Sequence, residues 1–188
     1  DSTQPTLLFA PHFVGMDAGW IGLTAHVQRR FCGLYARQRN PVMDHWMAEG
    51  RRRFGEPHIV AKSAGLKALV NALRAGEPLY LLPDMDYGPR DSVFVPFYGV
   101  TAATIPSLSR FARMGGARVL PIVNRLTPEG YDITVLPPWQ DFPTEDVLAD
   151  TARMNQLLQT WIDETPAQYY WVHKRFKTRP TGEPSYYR

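Results

Sequence analysis

The sequence predicts an α/β domain: a mostly parallel central sheet flanked by helices. Three observations carry this expectation. Thr6–Ala10, Leu79–Leu82 and Val119–Val123 are short, nearly continuous apolar runs, as strands buried on both faces are. Between such runs lie stretches of helical period, the clearest placing Leu66, Leu69, Val70 and Leu73 on one face. Strand and helix then alternate along the chain, the pattern of an α/β layer fold.

Taken in order, Thr6–Ala10 reads as a strand and Asp17–Gln28 as a helix with Asp17 near its start. Gly33–Tyr35 reads as a strand, followed by a helix over Val42–Arg52 with Pro41 in the first turn. His58–Ala61 is a short strand. Ser63 is the expected cap of a helix to Leu73, ended by Gly76. After the strand Leu79–Leu82 comes the turn Asp84–Pro89. Thr104 is the expected cap of a helix to Met114, stopped by Gly115–Gly116. Val119–Val123 is a strand, Tyr131–Leu136 alternates like an edge strand, and Thr144–Glu164 is the last long helix. In parallel sheets, functional groups gather beyond the carboxyl ends of strands, here the loops starting at Pro11, Tyr35 and Pro83.

The 188 residues, 44% of them apolar and 21% charged, fit a single domain spanning 1–188. The net charge of +3 and pI near 9.1 favour an anionic partner. The single cysteine, Cys32, excludes an internal disulfide and fits a reducing compartment. No apolar run approaches the roughly 18 to 20 residues that cross a bilayer. Docking on a membrane surface through aromatics and arginines stays open.

Four segments could carry chemistry. In Ala10-Pro11-His12-Phe13-Val14-Gly15-Met16-Asp17 an imidazole can take a proton from an attacking alcohol. A carboxylate across the turn can hold its opposite ring nitrogen, with Gly15 allowing the tight bend. Among five histidines and 18 acids this spacing could arise by chance, and a loop histidine beside a helix-capping aspartate explains it equally. The second segment holds Arg37, Arg39, Asn40 and Arg51, suited to bidentate phosphate or carboxylate recognition, or to a solvated basic helix end. The third, Pro83-Asp84-Met85-Asp86-Tyr87-Gly88-Pro89-Arg90, pairs two carboxylates after a buried strand. With no third oxygen ligand following and Arg90 close by, it reads as a rigid turn or an orienting group for arginines, with no metal expected. The fourth, Tyr169–Pro180, interleaves aromatic and basic residues, as nucleic-acid surfaces, membrane interfaces and packed C-terminal strands all do. Nucleophile-elbow, phosphate-loop, dinucleotide and paired-cysteine zinc patterns are missing, which leaves an enzyme that relies on a general base.

Read together, these segments resemble the lipid A late acyltransferases within the wider His-x4-Asp/Glu glycerolipid acyltransferase superfamily. The resemblance rests on His12 to Asp17, Asn40-Pro41 with Asp44, Gly50-Arg51, the Pro83–Pro89 turn, Val93–Phe97 and Trp171–Pro180. It implies a glycerolipid acyltransferase-like fold and an O-acyltransferase moving a fatty acyl chain from acyl carrier protein to a hydroxyl of a lipid A precursor. His12 would be the base and Asp17 its partner. Arg51, Arg37, Arg39, Asn40, Asp84, Asp86 and Arg90 would form the substrate side, with the two aspartates shaping the site. No cofactor is implied beyond the thioester donor. The partners implied are acyl carrier protein, the lipid A precursor and the anionic surface of the inner membrane on its cytoplasmic face, not nucleic acid. The resemblance also implies a membrane-anchoring segment ahead of residue 1. A lysophospholipid or aminolipid acceptor, or a binding module without catalysis, are the competing readings.

Overall fold

The computed structural model describes residues 3–61 and 65–187. Among the described residues eight strands, β1 (Thr6–Phe9), β2 (Cys32–Tyr35), β3 (His58–Ala61), β4 (Leu79–Leu81), β5 (Val93–Phe97), β6 (Val100–Thr104), β7 (Arg118–Thr127) and β8 (Gly130–Val135), are interspersed with five α-helices. These are α1 (Met16–His26), α2 (Pro41–Arg52), α3 (Leu66–Arg74), α4 (Ser107–Gly115) and α5 (Val147–Glu164). Six strands form one sheet in the order β3-β2-β4-β1-β7-β8, parallel except for the β7–β8 hairpin. The expected class and edge strand are therefore present.

The buried runs alternate between two cores. Leu7 and Phe9 of β1 point to the side covered by α3, α4 and α5, where Leu69, Leu73, Phe111, Leu158 and Trp161 pack with them. Leu8 and Ala10 point to the other side, against Trp20 and Leu23 of α1, Tyr80 and Ile122. Burying both faces of the central strands removes their apolar surface from water, at roughly 25 cal/mol per Å².

Several expectations shift. Thr104 caps no helix: it ends β6, pairs with Val93, and α4 begins at Ser107 after Pro106. Its hydroxyl is buried and serves Arg175. The capping role given to Ser63 lies outside the described residues, and α3 begins after Gly65. The antiparallel hairpin β5–β6 adds two strands to the predicted elements. Residues 169–180 form no strand. They contain one short turn of 3-10 helix, Trp171–His173, with another just before them at Pro166–Gln168, and a single bridge between Tyr169 and Phe13.

Candidate active site

Strands β1 and β4 are parallel neighbours with Phe9 opposite Leu81. Three residues beyond those partners lie His12 and Asp84, so the sheet's register delivers both side chains to one level at its carboxyl end. The His12 ring Nδ1 lies 2.7 Å from Asp84 Oδ1, and the His12 backbone N–H donates to Oδ2 at 3.0 Å. Asp84 is 1% exposed, whereas the His12 side chain keeps 13% of its surface open. Burial works to raise the Asp84 carboxyl, but the His12 charge and hydrogen bonds, with the more distant Arg175, outweigh it and hold it below its ordinary value. An ionised Asp84 accepts the Nδ1 proton, which leaves Nε2 with the basic lone pair.

The carboxylate on the ring nitrogen is thus Asp84 and not the Asp17 that spacing suggested. Asp17 sits in the first turn of α1 and accepts from Arg51 Nε and Nη2 at 3.2 and 3.0 Å. Two parallel strands can place loop residues face to face, while the turn into α1 directs Asp17 towards α2. Gly15 also acts differently from expectation. Its backbone is not left-handed, but a Cβ there would lie 3.1 Å from Tyr131 and 3.2 Å from Asn124, so its small size admits the helix start against β7 and β8.

The remaining expected site residues divide. Arg51 stacks its guanidinium 5.5 Å from the Tyr35 ring centre and borders the cleft described below. Asn40 caps α2, its Oδ1 accepting from Val42 and Met43, and is exposed. Arg37, Arg39 and Arg90 are exposed. Asp86 is buried, and its oxygens accept from the backbone N–H groups of Gly88 and Thr178, both at 2.8 Å. Asp86 therefore ties the turn to the C-terminal segment, and both aspartates are committed to protein donors instead of substrate.

That segment supplies groups the sequence reading left unassigned. Arg175, 2% exposed, donates to Ala103 O at 2.8 Å, Thr104 Oγ1 at 2.6 Å and Asn155 Oδ1 at 3.1 Å, with its guanidinium 4.8 Å from the Phe97 ring centre. A buried guanidinium needs a countercharge, and the negative field comes from Asp84. Tyr169 feels both. Burial first, then Asp84, pushes its hydroxyl well above the usual range, against the opposing pull of Arg175. The His173 ring meets His12 edge to face at 4.8 Å. Burial and the His12 and Lys177 charges lower His173, against Asp84, so it stays neutral near pH 7. The tail is stitched to the His12 loop by Tyr170 N–H to His12 O and Val14 N–H to Gln168 O, both 2.9 Å. Unbroken aromatic and basic character around a buried Arg175 was the available signal, but it did not say which face was buried.

A small cleft lies between α1, α2 and one face of the sheet, and neither His12 nor Asp84 is among the residues that line it. Trp20, Gly33, Leu34, Ile59, Tyr80 and Leu82 make it largely apolar, with Met16, Asp17 and Arg51 bordering it. The loops that carry His12 and Asp84 also carry Met16 and follow Leu82, so the cleft and the base share their supports. Among the described residues, one group has the ligand types for a metal ion: Cys32, His58 and Glu77, within 4.8 Å of one another at the opposite, amino end of the strands. Glu77 is already engaged by His58 at 2.8 Å and Arg30 at 3.7 Å, and burial first, then Glu77, pushes the Cys32 thiol up to about 12 against the pull of Arg30. An intact ion pair and a protonated thiol suit structure better than ligation.

The sequence has relatives of known family. The family model for bacterial lipid A biosynthesis acyltransferases matches residues 1–178. The lipid A biosynthesis lauroyltransferase of Escherichia coli K12 is 39% identical over 184 residues, which cover 96% of this chain and 59% of that protein. The palmitoleoyltransferase of the same organism is 33% identical over 94% of the chain and 57% of its own length. The E. coli myristoyltransferase is 32% identical over 97% of the chain and 56% of its own. The chain thus spans somewhat over half the length of these relatives. With the family model running through the His12 and Asp84 loops and the C-terminal segment that locks them, the chain belongs to the bacterial lipid A biosynthesis acyltransferase family.

Proposed function

We propose that this chain is the catalytic part of an O-acyltransferase that moves a fatty acyl group from acyl carrier protein onto a hydroxyl of a lipid A precursor. The observation that carries the reading is the Asp84–His12 pair at the carboxyl end of the sheet, with Nδ1 held by the carboxylate and Nε2 left as the basic nitrogen. His12 Nε2 removes the acceptor hydroxyl proton as the oxygen attacks the thioester carbonyl. The tetrahedral intermediate collapses by breaking the carbon–sulfur bond, and the imidazolium returns its proton to the departing thiolate. Asp84 fixes the tautomer and stabilises the imidazolium between these steps. The cleft accommodates the acyl chain, and Arg51, held by Asp17, meets the anionic part of donor or acceptor. This chemistry calls for no cofactor besides the thioester.

The acceptor is a lipid, so the work is placed at the cytoplasmic face of the inner membrane. Among the described residues, no helix is long and apolar enough to cross a membrane. Nucleic acid is not a partner in this reading, since Tyr169 and Arg175 are spent inside the protein.

The test is acyl transfer by the full-length protein and its His12→Ala variant, with acyl-carrier-protein donors and defined lipid acceptors. Transfer to lipid A precursors should vanish in the variant while its circular dichroism is unchanged. Undiminished turnover would overturn the mechanism, and preference for lysophospholipid would overturn the acceptor.

A further inference from the structure

Helix α2 is turned inside out. None of its twelve residues is buried. The side facing the body holds Asp44, Met47, Ala48 and Arg51, all half-buried, with Asp44 bound by Tyr35 and Arg51 by Asp17. The outward side carries the apolar groups: Val42 is 74% exposed, Trp46 70% and Met43 47%. Val42 and Trp46 are four residues apart, so they form one stripe, which Met43 widens. A surface helix normally presents the opposite arrangement.

The charges around this stripe have one sign in excess. Arg37 and Arg39 are exposed in the loop before α2, and Arg53, past its end, lies over the exposed Phe54 ring. The acids of α2 are already used, Asp44 by Tyr35 and Gln38, Glu49 by Arg52. An apolar stripe that carries an indole, with exposed guanidinium groups at both ends, is the chemistry of an interfacial helix on anionic lipid.

We infer that α2 seats the protein on an anionic bilayer, with Val42, Met43 and Trp46 in the headgroup–acyl boundary and Arg37, Arg39 and Arg53 on lipid phosphates. Arg51 and the apolar cleft then lie directly behind the seated helix, where a lipid acceptor has a short path to them. The inference rests on the proposed function in taking the acceptor to be membrane-borne.

The experiment places an environment-sensitive fluorophore on the full-length protein through Val42→Cys, Trp46→Cys or, as control, Leu148→Cys on α5 across the sheet, each in a Cys32→Ser background. Vesicles of phosphatidylethanolamine with phosphatidylglycerol carry brominated acyl chains as quencher. Positions 42 and 46 should be quenched, position 148 should not, and replacing phosphatidylglycerol by phosphatidylcholine should abolish quenching. The Val42→Ser/Trp46→Ser double variant, both positions outside the site, should raise the apparent KM for vesicle-borne acceptor about a hundredfold, since two large apolar transfers are lost. Its turnover with detergent-dispersed acceptor should not change. Quenching that is absent while the same vesicles are acylated overturns the inference, as does equal quenching in neutral vesicles. A probe at position 46 already shielded before vesicles are added also overturns it, because another part of the protein or a second copy then covers α2. Normal quenching without acyl transfer would count against the proposed function and leave the docking surface standing.

Discussion

Asp84 grips His12 with both oxygens, one on the ring Nδ1 and one on the residue's own backbone N–H. The ring and the main chain that carries it are therefore oriented by one buried carboxylate, and neither can rotate without breaking a charge-assisted hydrogen bond.

Asp84→Asn should keep most of the geometry but spoil the tautomer, lowering kcat by about 10² to 10⁴, the range of general-base contributions. Asp17→Asn should act through Arg51, chiefly raising KM. The check is steady-state kinetics of both variants in the full-length protein. If Asp17→Asn lost turnover while Asp84→Asn kept it, the assignment of the two carboxylates would be reversed.

Arg51→Lys keeps the charge but not the two-nitrogen contact with Asp17 or the stack on Tyr35. Lysine cannot reproduce a planar fork, so substrate affinity should fall nearly as far as in Arg51→Ala. Equal KM for wild type and the lysine variant would show that charge alone matters there.

Arg175→Met should cost about 1–3 kcal/mol, because it leaves Asn155 Oδ1 and the Ala103 carbonyl without their buried donor and removes a positive charge that Asp84 feels. Urea unfolding of the variant measures this. A loss under about 1 kcal/mol would mean that water or another cation replaces the guanidinium.

Two groups beside His12 act on the acid side of stability, with the same sign. His173 is lowered in the folded protein, so the unfolded chain takes up a proton near pH 6.5 before the folded one does. Its contribution is complete above that pH and is lost as pH falls towards the folded value. Asp84 is also lowered, so its contribution is complete above about pH 4 and is lost below, through its folded value. Denaturation midpoints measured from pH 8 down to pH 3 should decline in two stages, and His173→Gln should remove the first. A single-stage decline in wild type would refute the assignment to His173.

Gly33 lies on the cleft floor, where a Cβ would come within 2.9 Å of the Trp20 ring. Gly33→Ala should tilt that indole into the cleft and shift donor preference towards shorter acyl chains. Competition among donors of graded length checks this, and an unchanged product distribution would place the acyl chain elsewhere.

The elements were legible wherever pattern is local. Buried strands such as Thr6–Phe9 and Leu79–Leu81 and helices such as Pro41–Arg52 followed from apolar runs, period and Pro41 in the first turn. The placement of His12 was legible because a histidine just past a strand end is a local feature. Its partner was not. That depends on β4 lying beside β1, a fact of strand order seventy residues away that neighbouring residues do not encode. For the same reason Thr104 read as a cap: Thr before a helical run suits one, but pairing with Val93 and the bond from Arg175 claimed it for β6. Arg175 was visible as a charge, while its burial depends on Asn155 of α5 and Phe97 of β5 closing over it.

Tyr170 and Thr178 brace the two loops that carry His12 and Asp84, Tyr170 N–H donating to His12 O and Thr178 N–H to Asp86. Neither residue belongs to the sheet, so a backbone cut between α5 and Tyr170 would leave the layers standing while the two loops lose the clasp that aligns them.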